Sequence, residues 1–182
     1  MRASPRAPVL LFLAGALLAA PVAAQVEEPE GFRLEQYRAP TPSGLKGATT
    51  LDTPAAERLW RAGNAIFVDV LPHDPKPANL PPGTVWRDRR RDHIPGSVWL
   101  ANVGYGVLSP EMELYFQRSL HDLTAGDRGR LLVFYCDVNC WMSWNAAKRA
   151  LAMGYRNVLW YSEGTGGWSS AGLPLVEGHP RP

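Results

Sequence analysis

The sequence has only two cysteines in 182 residues, Cys136 and Cys140. A chain so poor in cysteine is not a disulfide scaffold. A bridge between two so near in sequence would close a very small loop and stabilise the fold little. Beyond residue 24 there is no apolar run approaching the roughly 20 residues that a membrane-spanning helix needs. Internal repeats are absent too, which sets aside solenoids and propellers. Nor is there a working excess of charge. The chain carries 19 Lys+Arg and 17 Asp+Glu, and two of the basic residues, Arg2 and Arg6, fall within the first 24 residues. The balance that remains gives no reason to expect nucleic acid or an anionic membrane as partner.

Those first residues have the layout of a secretory signal. Arg2 and Arg6 form a basic start, Val9 to Ala20 an uncharged apolar run, and Val22-Ala23-Ala24 a small-residue cleavage site before Gln25. Removal of residues 1–24 leaves 158 of the 182, enough for one domain with a sizeable core. The expected organisation is a signal peptide over 1–24, an extended or loosely packed arm over 25–52, one α/β domain over 53–176 and a polar tail over 177–182. No membrane insertion is expected after cleavage. Seven tryptophans are many for this length, and buried indoles need a partner for the N–H.

Strand and helix signals alternate. A short strand is expected near Phe32 to Tyr37. Thr53 reads as a helix N-cap with Pro54 at the first helical position, and Gly63 as the stop. Ala65 to Val70 reads as a strand buried on both faces. Leu71 to Asp92, with five prolines and the run Arg87-Asp88-Arg89-Arg90-Arg91-Asp92, reads as a long loop. His93-Ile94-Pro95-Gly96 is a turn into a strand at Ser97 to Leu100. Ser109-Pro110 opens a helix. Leu131 to Tyr135 is the strongest strand signal, followed by a helix from about Ser143 to Met153 with Gly154 beyond it. Asn157 to Tyr161 is a further strand, and Gly164, Gly166 and Gly167 a flexible turn. Alternation of this kind predicts a doubly wound, mostly parallel sheet with helices on both faces. Ligands bind such sheets at the carboxyl ends of the strands.

Cys136 stands at such an end. A strand that turns sharply into a helix aims backbone N–H groups inward, with the positive end of the helix dipole behind them. A thiol there has a lowered pKa and is a candidate nucleophile. Cys140 lies four residues on, within disulfide reach in helical geometry. The pair can therefore cycle between dithiol and disulfide, with Cys140 as resolving thiol. Two thiolates alone make an incomplete metal site, for which His93 and His121 would have to be added, and no metal is expected. The C-x-x-x-C spacing followed by Trp141 excludes covalent c-type haem attachment, which needs C-x-x-C-H.

Several segments, in this order, resemble the rhodanese-like family. They are Val68-Asp69-Val70, His93-Ile94-Pro95-Gly96-Ser97, Tyr135-Cys136, Ala146 to Leu151, Gly154 to Val158, Glu163 to Trp168 and Gly172-Leu173-Pro174. The resemblance covers roughly Thr53 to Val176. More narrowly, Cys136-Asp137-Val138-Asn139-Cys140-Trp141 and the following Met142-Ser143-Trp144 resemble a bacterial subgroup named for its Cys-Cys-Trp motif. That subgroup is associated with alcohol catabolism dependent on pyrroloquinoline quinone (PQQ). The resemblance implies a periplasmic location, Cys136 and Cys140 as reacting groups, and an active-site loop of Asp137, Val138, Asn139, Trp141, Met142 and Ser143. Asp69, Arg91, His93 and Trp144 are the expected substrate or anion contacts. PQQ or another redox cofactor is the implied ligand. A PQQ-dependent dehydrogenase or its cytochrome or transport partners are the implied associates.

The loop departs from sulfur-transferring rhodaneses, which follow the cysteine with a glycine and an arginine. No arginine lies between Cys136 and Arg149, and Asp137 sets a negative charge beside the thiol. Thiosulfate sulfurtransfer is therefore doubtful, and phosphatase chemistry, which also needs the arginine, more so. Arg87 to Arg91 could supply the missing charge if their loop lies over the site. Two functions are compatible with these residues. One is thiol redox or sulfur carriage through Cys136 and Cys140. The other is a non-catalytic module binding a quinone-type cofactor, an alcohol-derived ligand or a dehydrogenase, with Trp141 and Trp144 as an apolar wall.

Overall fold

The structure is a computed structural model that describes residues 26–74 and 76–182, so the expected signal segment lies outside the described residues. Five parallel strands form the central sheet. They are β1 (Thr49–Leu51), β2 (Ala65–Asp69), β4 (Val98–Trp99), β5 (Leu131–Tyr135) and β6 (Val158–Tyr161), in the order β1-β6-β5-β2-β4. A separate antiparallel pair joins β3 (Arg91–His93) to β7 (Val176–Gly178). The helices are α1 (Thr53–Ala62), α2 (Pro110–Thr124), α3 (Trp141–Ala152) and α4 (Gly164–Ser170).

Alternation along the strands divides the core in two. Val68, Leu132, Phe134, Val158 and Trp160 face α2 and α3, meeting Phe116, Leu120, Ala146, Ala147 and Ala150. Phe67, Val133, Tyr135, Leu159 and Tyr161 face α1 and α4, meeting Ala56 and Trp168. Each fully buried large apolar side chain contributes about 1.5–3 kcal/mol. Helices on both faces of a parallel sheet make this the doubly wound fold that the alternating pattern predicts.

Local chemistry sets the helix ends. The N-cap of α1 is Asp52, whose carboxylate accepts the Ala55 N–H at 2.8 Å. Thr53, the expected cap, instead turns its hydroxyl to Tyr161 and Glu163. Gly63 closes α1 at φ 64°, in the left-handed region that glycine enters without strain. Ser109 caps α2, and Glu111 and Glu113 in its first turn complement the helix dipole. The third helix begins at Trp141, two residues before the expected Ser143, because Cys140 takes the cap position.

Other expectations are corrected. The glycine-rich stretch after β6 is a helix, not a flexible turn. A Cβ on Gly164 would lie 2.8 Å from the Asp137 backbone, and one on Gly167 2.5 Å from the Glu163 side chain. Close packing, with Trp168 fully buried, overrides the poor helix propensity of glycine. The strand expected at Phe32 to Tyr37 is not formed, and the arm is not loosely packed. Asn145 of α3 accepts the Arg33 N–H and donates to the Arg33 carbonyl, both at 2.9 Å. The Trp141 and Trp144 indoles donate to the carbonyls of Pro40 and Gly44. Lys148 donates to the Pro29 carbonyl at 2.9 Å. Arg91, read as loop, opens β3. The C-terminal residues are structured as well, through β7 and the Arg181 N–H bond to the Trp99 carbonyl.

Candidate functional site

Strands β2 and β5 are neighbours at the centre of the sheet, with Asp69 in register with Tyr135. Their carboxyl ends bring Asp69 and Cys136 together. Cys136 leaves β5, Asp137 to Asn139 turn the chain, and Cys140 caps α3. Cys136 and Cys140 are joined by a disulfide, with Cα atoms 6.4 Å apart. Asn139 turns the loop at φ 52° and its carbonyl accepts the Ala39 N–H. Ser143 is buried, donating to the Cys140 carbonyl and accepting from the Trp160 indole.

The N–H cradle expected around the thiol is met by the chain itself. The Trp141 N–H at the start of α3 donates to the Tyr37 carbonyl at 2.9 Å, beside an antiparallel bridge between Arg38 and Cys140. The Val138 N–H donates to the Asp137 carboxylate. That carboxylate also pairs with Arg38 at 3.1 Å, so the negative charge beside the cysteines is compensated by the arm.

Behind the loop stands a buried brace. Arg91 grips both Asp69 oxygens, at 2.7 and 3.0 Å, and donates to the Cys136 carbonyl at 2.8 Å and to Thr165. Thr165 donates to the same carbonyl through its N–H and its hydroxyl. Burial pushes the Asp69 carboxyl above its ordinary value, and the Arg91 guanidinium opposes that push. Burial lowers His93, which lies 4.0 Å from Asp69 and packs against Gly178. Its Nδ1 is buried without a hydrogen-bond partner. Burial also pushes the Tyr135 phenol well up; that hydroxyl holds Ser97 and the Ile94 N–H.

Above the loop opens a cleft of about 320 Å³. Cys140 and Met142 line it, and Cys136 does not. Its wall carries Arg38, Arg87, Arg89, Arg90 and Arg91 with Tyr37, Trp86 and Trp99. Arg38, Arg90 and Arg91 have carboxylate partners in Asp137, Asp92 and Asp69. Among the described residues, Arg87 and Arg89 have none, and they outnumber Asp74, the carboxylate on the cleft wall.

The residues expected as substrate contacts therefore separate. Arg91 borders the cleft with its guanidinium committed to the brace. Asp69 and His93 are buried away from the cleft. Trp144, expected with Trp141 as a ligand wall, is buried beneath the arm, and so is Trp141. The aromatic wall comes instead from Trp86 and Trp99. Val138 is exposed at the loop tip. Tyr37, Arg38 and Thr165 were not foreseen. Thr165 lies within the Glu163 to Trp168 segment, which was the available signal for it; the arm offered none. His121 sits on α2 beside Asp122. Among the described residues, no cluster of three or more His, Cys, Asp or Glu side chains could hold a metal ion.

A doubly wound sheet with a cysteine loop at the carboxyl end of its central strand defines the class of the protein. The family model of the rhodanese-like domain matches residues 54–171. The chain belongs to the rhodanese-like domain family. Among solved structures it is similar to a thiosulfate sulfurtransferase from Pseudomonas aeruginosa, with 20% identity and a TM-score of 0.48, covering 74% of this chain and 21% of that one. It is similar to a Rhodopseudomonas palustris protein of unknown function described as a possible tyrosine phosphatase, with 26% identity and a TM-score of 0.46, covering 71% and 85%. It is also similar to the polysulfide-sulfur transferase homodimer of Wolinella succinogenes, with 15% identity and a TM-score of 0.46, covering 71% and 79%. No curated protein matches the chain.

Proposed function

We propose that this chain is a periplasmic thiol redox or sulfur-carrier protein that works through Cys136 and Cys140 and is linked to PQQ-dependent alcohol catabolism. The observation that carries the reading is the disulfide across the active-site loop, with Cys140 lining the cleft. An incoming thiolate can open such a bridge by exchange. The reduced pair can take a sulfane sulfur as a persulfide on one cysteine. The other thiol then attacks that cysteine's sulfur, the bridge closes and hydrogen sulfide leaves. Thiosulfate is not the expected donor, because the loop supplies no guanidinium of its own. The test is alkylation and mass spectrometry of protein taken from the periplasm, before and after a dithiol reductant. A bridge that opens on reduction and returns on oxidation supports the reading. Cysteines that stay unreactive under every condition overturn it.

The cationic, aromatic cleft favours a second reading, a module that holds a quinone-type cofactor without turnover. PQQ is a planar quinone bearing carboxylates, and when bound it supplies a two-electron couple. Arg87 and Arg89 would neutralise its carboxylates, and Trp86 and Trp99 would flank its ring. A quinoprotein dehydrogenase or its cytochrome or transport partners are the associates this reading implies. Titration with PQQ should quench tryptophan fluorescence in the wild type and much less in Trp86→Ala. An unchanged spectrum removes this reading.

A further inference from the structure

Resting on the redox reading, we infer that Cys140, not the strand-end Cys136, is the sulfur that exchanges with substrate, and that the substrate is a small anionic thiol or its disulfide. The two sulfurs differ in what covers them. Both cysteines are buried, but Cys140 lines the cleft while Cys136 lies behind the loop with its carbonyl pinned by Arg91 and Thr165. A nucleophile must approach one sulfur of a disulfide from outside, and the cleft leads to Cys140. At about 320 Å³ it suits a small molecule and sits at the low end of ligand-pocket volumes. Arg87 and Arg89, with no ion-pair partner among the described residues and outnumbering the lining carboxylate Asp74, favour negative charge, and Trp86 and Trp99 tolerate an apolar body.

The chemistry balances within this assignment. A substrate thiolate attacks Cys140 Sγ, and a bond forms between those two sulfurs. The bond between Cys140 and Cys136 breaks, its electron pair stays on Cys136, and that thiolate takes a proton from solvent. A second substrate thiolate then attacks the substrate sulfur of the mixed disulfide. Free substrate disulfide leaves and Cys140 becomes a thiolate. Two thiols are oxidised and one protein disulfide is reduced. In reverse, Cys140 is the thiolate that meets an anionic disulfide.

The experiment mixes the oxidised full chain with mercaptoethanesulfonate, mercaptoethanol or cysteamine. Samples are quenched with acid, alkylated with iodoacetamide and mapped by tandem mass spectrometry. The expected product carries the thiol on Cys140 and the alkyl group on Cys136. The sulfonate should react roughly ten-fold faster than cysteamine at low salt, and the gap should shrink in Arg87→Ala/Arg89→Ala. As a second measurement, Cys136→Ser should react with the anionic disulfide dithionitrobenzoate faster than Cys140→Ser. A thiol adduct on Cys136 overturns the assignment and leaves the redox reading standing. Equal rates for the sulfonate and cysteamine overturn the anionic substrate. A bridge that stays closed, with neither thiol nor alkyl group on either cysteine, overturns both the inference and the reading it rests on.

Discussion

Arg91 commits its guanidinium to the chain itself. It holds Asp69, Thr165 and the Cys136 carbonyl, and so ties two central strand ends to α4. Removing one partner of a buried pair leaves an uncompensated charge and costs about 3–5 kcal/mol. Arg91→Ala should lower the urea midpoint accordingly, and Arg91→Lys should recover only part, since a lysine cannot match the two carboxylate oxygens. His93 gives a pH dependence. Burial lowers its native pKa, with Arg91 and His179 adding to the shift and Asp69 and Asp92 opposing it. Its contribution is full above about pH 6.5. Below that, the unfolded chain binds a proton that the native imidazole resists, so stability falls as pH drops toward the native pKa. Melting temperatures from pH 7 to pH 5 should decline less in His93→Gln. The sequence marked Asp69, Arg91 and His93 as residues of the site, but not that they brace it, because a charge's partner in space leaves no trace in the chain.

At the scale of elements, the strand β5, the cysteine loop and α3 were legible, since apolar alternation and turn residues are local signals. Helix α4 was not, because its glycines are poor helix formers and their role is to admit close neighbours, the Asp137 backbone at Gly164 and the Glu163 side chain at Gly167. Gly164→Ala combines a left-handed φ of 52° with a Cβ at 2.8 Å from that backbone. It should cost about 1–3 kcal/mol in urea unfolding and speed reduction of the disulfide by loosening the loop. The packing of the arm was equally hidden, for its partners on α3 lie more than 100 residues away. Asn145→Ala removes three hydrogen bonds, two to Arg33 and one to the Gly104 carbonyl. Leaving such buried groups unpaired costs about 1–3 kcal/mol each. Limited proteolysis should then cut the arm sooner than in the wild type.

For the whole molecule, the doubly wound fold followed from the order of strands and helices, and its two core layers from alternation within each strand. The disulfide contributes little to this framework. Closing so short a loop is worth about 2 kcal/mol or less, so the reduced chain should keep its far-ultraviolet circular dichroism and lose only a few degrees of melting temperature. The arm's distant bonds have a consequence for folding order. The arm is made before its partner, for Arg33 meets Asn145 only across a separation of 112 residues. Contacts so far apart close slowly. The arm is therefore among the last segments to dock, and until it does the Cys140 end of the bridge lacks the cover of Tyr37 and Arg38.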